Sequence, residues 1–386
     1  MDEIVVLGAG YAGMTAAMSL AGRTRRHGGV RIRLVNGDER FVERVRLHQV
    51  ATGAELTRLH LPDRVGPTGV EFVRGWVSGI DADARTVRLA DGQTLRYDRL
   101  VFALGAVTDT HGVAGVEEHA YTLDTMASAE SFARRLAEMG TGTVVVAGGG
   151  ITGVESAAEI AQQHPDLRVV LATRGEPVAM MGPKARAYAA QALAKLNVEV
   201  RAQAEVVKVL PGGIELTDGH VDADAVLWTA GVRAPRPAGD AGFTVDAAGR
   251  IVTDRTLRSV SHPEVYAIGD AAAVPQNYGV MHGTCGAGVA LGAHAAKNLA
   301  RELRGQQPED LRFGYFQQNV SLGRGDAVVQ FTRPDDSPSR WILTGRRAAA
   351  YKEGFSRSPW PTYKMLPTMP GLLVWRHGGR ATKAAA

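Results

Sequence analysis

Cysteine is nearly absent from this chain of 386 residues: Cys285 is the single one. One thiol excludes an intramolecular disulfide, a redox centre built on a Cys pair, and a thiolate-cluster metal site within one chain. A lone buried cysteine reads as inert, with a redox role for Cys285 the alternative. Long apolar runs are missing too, since no stretch reaches the roughly 18 residues that a membrane-crossing helix needs. Charge of one sign never accumulates. The net charge is +4 with no block of five or more like charges, which argues against a nucleic-acid surface. Met1-Asp2-Glu3 leads straight into apolar residues, so no secretory signal peptide is expected. The 11 histidines contain no H-E-x-x-H pair, so no metal enzyme is expected, and no nucleophilic triad stands out. These absences point to a cytoplasmic protein, with a peripheral membrane contact left open.

Glycine, by contrast, is plentiful and patterned. Thr143 to Ser156 reads as a buried strand, a tight turn and a helix start, with Gly148, Gly150 and Gly153 spaced G-x-G-x-x-G. The first glycine permits the tight turn, the second lets backbone approach a pyrophosphate closely, and the third allows close helix–strand packing. The helix N-terminus offers free N–H groups to the phosphates. The pattern recurs at the start of the chain, where Ile4-Val-Val-Leu7 precedes Gly8, Gly10 and Gly13. Two copies, each between a strand and a helix, predict two dinucleotide-binding units.

Taken in order, the chain predicts a strand over 3–8, a helix over 11–22 and a strand over 31–36. Asn36 stands where a Rossmann unit expects an acid for a ribose hydroxyl; Asn36-Gly37-Asp38 also reads as a plain turn. Phe41 to Thr52, rich in Arg and polar residues, reads as a solvated face. Short strands follow near 70–74 and 85–90, with an Asp91-Gly92 hairpin turn. A buried strand then passes Ala103 and meets Gly105. Helices are expected over 125–139, 151–163 and 183–196, and a strand over 167–172. Ala225 to Gly231 mirrors the Gly105 segment. The Pro-rich stretch from Ala234 reads as a linker. Val265 to Asp270 is a strand ending in Gly269-Asp270, followed by a long Gly/Ala-rich helix over 286–304. Residues 309–386 carry strands near 327–331 and 340–344 and a basic, aromatic tail. The fold class is therefore α/β: two Rossmann-like three-layer domains plus a small C-terminal α+β domain. The expected division is 1–113 with 236–308, then 114–235, then an interface domain over 309–386.

With both glycine turns and Tyr266-Ala-Ile-Gly-Asp270 in view, the chain resembles the two-dinucleotide-binding-domain flavoproteins. Within them it is most similar to the type II NADH dehydrogenases. The matching segments are His48-Gln-Val-Ala-Thr-Gly53, Gly148 to Glu155, Leu227 to Val232 and Tyr266 to Asp270, spread over roughly residues 1–305. The resemblance implies FAD on Gly8, Gly10 and Gly13, with Asn36 at the adenosine ribose, Ala103, Gly105 and Gly269 along the cofactor, and Asp270 at the ribityl chain. It implies NADH or NADPH on Gly148, Gly150 and Gly153, edged by Gly231, with Glu155 near the nicotinamide. A helix N-terminal acid favoured by the dipole is the plainer reading of Glu155. The cofactors carry such chemistry, which explains the missing acid–base machinery.

The implied activity passes a hydride from NAD(P)H to FAD and electrons on to a quinone or quinone-like small acceptor. A soluble flavoenzyme of secondary metabolism acting on an aromatic or quinone substrate is one alternative. A slow redox-sensing interaction protein similar to apoptosis-inducing-factor relatives is another. The single cysteine excludes the disulfide-reductase and sulfide–quinone branches. The family's Gln pair after Gly-Asp is replaced by Ala290-Leu291, and its C-terminal membrane helices are shortened or absent. A homodimer is left open. Thr173 and Arg174 occupy the end of the second unit's second strand, where an NAD-selective protein places an acid; an Arg fork there predicts a preference for NADPH. In the tail, Met365, Leu366, Met369, Leu372, Leu373 and Trp375 alternate with Lys364, Arg376 and Arg380. Such a mix suits a membrane surface, or packing on the protein's own body or on a second subunit.

Overall fold

The computed structural model describes residues 1–382. The chain begins with strand β1 (Asp2–Leu7), helix α1 (Tyr11–Thr24) and strands β2 (Val30–Asn36), β3 (Glu71–Arg74) and β4 (Arg99–Phe102). Next come β5 (Ala120–Tyr121), α2 (Met126–Met139), β6 (Gly142–Ala147), α3 (Ile151–Gln163), β7 (Leu167–Ala172), α4 (Pro183–Lys195), β8 (Glu199–Arg201) and β9 (Ala225–Trp228). Strand β10 (Val265–Ala267) and helix α5 (Cys285–Glu302) follow. The chain closes with β11 (Gln317–Ser321), β12 (Ala327–Thr332), β13 (Pro338–Thr344), α6 (Gly345–Arg357) and α7 (Pro359–Met365).

Two parallel sheets carry the two glycine turns. The first has the order β10-β4-β1-β2-β3 and the second β8-β7-β6-β9-β5. Strands covered on both faces need apolar residues without alternation, and Ile4 to Leu7 and Val144 to Ala147 are fully buried. The segments linking the sheets run antiparallel, Val107 and Thr108 pairing with Arg233 and Val232. Three-stranded antiparallel hairpins over 77–96 and 206–222 flank the sheets.

Helix α1 is buried almost all round because α5 lies against it. A Cβ on Gly292 would sit 2.3 Å from the Ala12 carbonyl oxygen. Only glycine permits that helix–helix distance.

Three local readings need correction. Phe41 to Thr52 is not a solvated face: Leu47, His48, Gln49 and Val50 form one buried helical turn wedged against α2 and α3. Ala234 is not in a free linker, since it is buried and its N–H donates to the Ala248 carbonyl. Helix α6 escaped the sequence reading because its buried stripe, Ala348, Lys352 and Ser356, has a charged residue at its centre. The tail straps along α1: Leu366 and Tyr363 are buried, and the Tyr363 hydroxyl reaches the Tyr11 carbonyl at 3.3 Å. The side chain of Arg380 and residues 383–386 lie outside the described residues.

Candidate functional site

The two glycine turns are built alike. Gly8 adopts φ +92° and Gly148 φ +123°, conformations that disfavour a side chain. A Cβ on Gly13 would lie 1.8 Å from the Gly8 oxygen, and one on Gly153 at 1.8 Å from the Gly148 oxygen. These glycines let each helix close on its strand. At Gly10 and Gly150 an added Cβ would meet nothing within 4 Å. The middle glycines thus face open space at the carboxyl ends of the strands, where ligands of such sheets bind.

Around the first turn, the Ala103 N–H donates to the Leu7 carbonyl and the Ile268 N–H to the Phe102 carbonyl. This brings Ala103, Gly105 and Gly269 to the same sheet edge as Gly8. The Asp270 carboxylate makes no hydrogen bond among the described residues. Burial raises its pKa above the usual carboxylate value, opposed by Arg44 and His282. A half-buried acid without a hydrogen-bond partner beside an open glycine turn suits a ligand hydroxyl. Asn36 serves the turn itself: its Oδ1 accepts from the Ala9 N–H at 2.9 Å, and its Nδ2 donates to the Asp38 carbonyl at 2.7 Å. Trp76, which the sequence reading passed over, is 64% exposed and stands over Gly37. It offers an aromatic face at the end of β2.

Around the second turn, Thr173 is buried, with Oγ1 2.3 Å from where a Gly149 Cβ would be. Arg174 is 84% exposed and lies 3.7 Å from Glu205. That carboxylate is a neighbour the linear reading could not supply. Gly231 approaches the His111 ring, whose Nε2 a Cβ would meet at 2.6 Å; its place is at the crossing between the two sheets.

Glu155 is not a dipole-stabilising acid of the helix start, since the first turn of α3 holds no acid. Its Oε1 takes the Lys352 ammonium at 2.8 Å and the Ser321 N–H at 2.9 Å, and His48 Nδ1 lies 3.7 Å from Oε2. Burial alone would raise the Glu155 pKa; Lys352, His48 and these hydrogen bonds outweigh it, and the carboxyl ends below its usual value. Burial pushes the His48 imidazole down to about 4, with Glu155 opposing and Lys352, Arg324 and Arg46 adding to the shift. His48 is therefore neutral at pH 7, and its Nε2 is buried without a partner among the described residues. Lys352 and His48 come from elements far from Glu155 in the chain, so spacing gave no sign of them. One turn beyond Lys352, Phe355 packs edge-on to Phe316 and approaches Gly286 at the start of α5. Ala290 and Leu291 are buried in the core. Burial pushes the Cys285 thiol up to about 11, so it stays protonated.

Residues 2–302 match the pyridine nucleotide-disulphide oxidoreductase family. The chain belongs to this family. Among its relatives is an NADH dehydrogenase-like protein of Mycobacterium tuberculosis, 33% identical over 85% of this chain and 87% of the relative. A type II NADH:quinone oxidoreductase of Staphylococcus epidermidis is 27% identical over 84% of this chain and 89% of its own length. In fold, the chain is similar to the sulfide:quinone oxidoreductase of Aquifex aeolicus, with TM-score 0.80, 20% identity, and coverage of 96% and 93%. It is also similar to NDH2 of Plasmodium falciparum, with TM-score 0.78, 13% identity, and coverage of 95% and 97%. With Cys285 alone, this member of the family has no cysteine pair of its own. Among the described residues, no helix is long and apolar enough to cross a membrane.

Proposed function

We propose that the chain is an FAD-dependent NAD(P)H dehydrogenase that delivers electrons to a quinone or quinone-like acceptor. The observation that carries this reading is the pair of like-built glycine turns, each open at its middle glycine, with unpartnered Asp270 beside the first. The names of the curated relatives support the donor and the acceptor. Bound FAD would supply the redox chemistry that links a two-electron donor to the acceptor. Gly8, Gly10 and Gly13 would hold its pyrophosphate, Asp270 would accept from a ribityl hydroxyl, and Trp76 would cover the adenine. Gly148, Gly150 and Gly153 would hold the donor's pyrophosphate.

Lys352, anchored by Glu155, is a buried cation of the C-terminal unit. Its ammonium would steady negative charge developing on an acceptor oxygen. Phe316 and Phe355 would form the apolar slot for the acceptor ring. With Ala290-Leu291 in place of the family's Gln pair, Lys352 of this C-terminal unit would be a polar partner for the acceptor. Purified protein should be yellow, should bleach on NADH or NADPH, and should regain colour with a soluble quinone. Colourless protein that takes up no FAD would remove the reading.

A further inference from the structure

A cavity of about 400 Å³ lies at the far end of α1, between α5 and the C-terminal tail. Helices α1 and α5 run side by side in one direction, with Gly292 against Ala12 and Arg304 donating to the Arg23 carbonyl. From Tyr11 to Arg23 the helix rises roughly 18 Å, so the Arg23 side of the cavity lies away from the glycine turn at the other end. Its walls combine two kinds of surface. Ala293, Leu373, Pro370 and Trp375 are apolar, while Arg23 and Arg312 bring two guanidinium groups.

Neither guanidinium is neutralised by a carboxylate within salt-bridge distance among the described residues. One nitrogen of Arg23 donates to the Pro370 carbonyl at 2.8 Å, and one of Arg312 to the Gly379 carbonyl at 3.0 Å. The Nε of each is buried without a partner. By contrast, the nearby Glu309 carboxylate is already matched by Lys297 and by Arg301, the latter at 2.8 Å. Burial and the neighbouring Arg304 press the Arg23 guanidinium below its ordinary basicity, a cost that a bound anion would relieve.

We infer that this cavity is a binding site for a monoanionic carboxylate carried on an apolar body, aromatic or short aliphatic. Two half-buried guanidinium groups without a carboxylate partner match a carboxylate. The volume falls in the range of small-molecule sites, and the Trp375 and Leu373 walls would cover the body of such a ligand. Inorganic phosphate would leave the apolar walls bare, and the Asp310 carboxylate among the lining residues opposes a second negative charge. A ligand here would tie the end of α1 to the tail strap. The site does not depend on the proposed redox activity.

The test is isothermal titration of the purified holoprotein with 2-naphthoate and octanoate, beside inorganic phosphate and neutral 2-naphthalenemethanol. The carboxylates should bind at least about tenfold more tightly than either control. Arg23→Gln and Arg312→Gln should each weaken them by about 10- to 150-fold, the range for a lost hydrogen bond to a charged group. Leu373→Trp fills the cavity while leaving every charge in place, and should abolish binding even if an arginine variant folds poorly. Phe355→Ala, at the proposed acceptor slot, should leave binding unchanged. The inference is overturned if neither carboxylate binds below about 1 mM or if the neutral alcohol binds equally well. It is also overturned if Leu373→Trp keeps full affinity, or if Phe355→Ala rather than the cavity variants removes binding.

Discussion

Lys352 and Glu155 bury opposite charges where α6 meets α3. Removing one partner of such a pair strands the other, at about 3–5 kcal/mol. Lys352→Met should destabilise the fold by that amount in urea titrations, and the double variant with Glu155→Leu should recover most of it. His48 adds a pH signature. Its folded value is about 4 and its unfolded value 6.5. Between them the unfolded chain binds a proton that the native imidazole refuses, so stability falls as pH drops through that window, by on the order of 3 kcal/mol. Glu155 acts lower. Its depressed pKa contributes stability above its unfolded value, which is lost as pH falls through the folded one. His48→Gln should flatten the pH 6.5 to 4 segment of the urea-midpoint curve; an unchanged slope would mean that the native imidazole does titrate there. At the proposed donor site, Glu205 would compete for Arg174. An exposed ion pair is worth at most about 1 kcal/mol, so Glu205→Ala should lower the KM for NADPH up to about fivefold and leave NADH unaffected. Steady-state kinetics with both donors decides it.

Among the elements, the contact between α1 and α5 tolerates little. Gly292→Ala places a methyl group against the Ala12 carbonyl, and overpacking of this kind costs about 1–3 kcal/mol. A clear fall in Tm is expected, whereas Gly28→Ala, with open space around it, should change little. The β2 end carries a second element-level prediction. If Trp76 covers the adenine, Trp76→Ala loses a stacking contact of about 0.5–1.5 kcal/mol, weakening FAD roughly two- to tenfold in a reconstitution titration. Unchanged FAD affinity would make Trp76 a surface residue that merely shields Gly37.

For the whole molecule, the tail divides its apolar residues between two duties. Leu366, Leu373 and Trp375 pack on the first sheet's core, while Met365, Met369, Leu372 and Val374 face outward, Val374 at 88% exposure. With Lys364 beside them, the outward set is the surface that a peripheral membrane contact or a second copy of the chain would use. Flotation with anionic vesicles should carry the intact chain upward, and replacing Met365, Met369 and Leu372 with Ser should leave it at the bottom. A chain that never floats removes the membrane contact and leaves the outward set for a second copy of the protein.

Local patterns were enough to read the two glycine turns, the strands feeding them and the long helix after Asp270. Those features need only a run of apolar residues and a backbone that must turn tightly, both written in consecutive positions. Val144 to Ala147 and α3 could be placed from such runs alone. The partners of Glu155 could not. Lys352 lies in a helix whose charge hid its buried stripe, and His48 lies in a stretch polar enough to pass for surface. A buried charge is tolerated only when its counter-charge arrives from another element, and that meeting is decided by how the sheets and the C-terminal unit pack. The same holds for Arg174. Its position at the strand end was legible in consecutive residues, but only the packing of the neighbouring loop set Glu205 beside it.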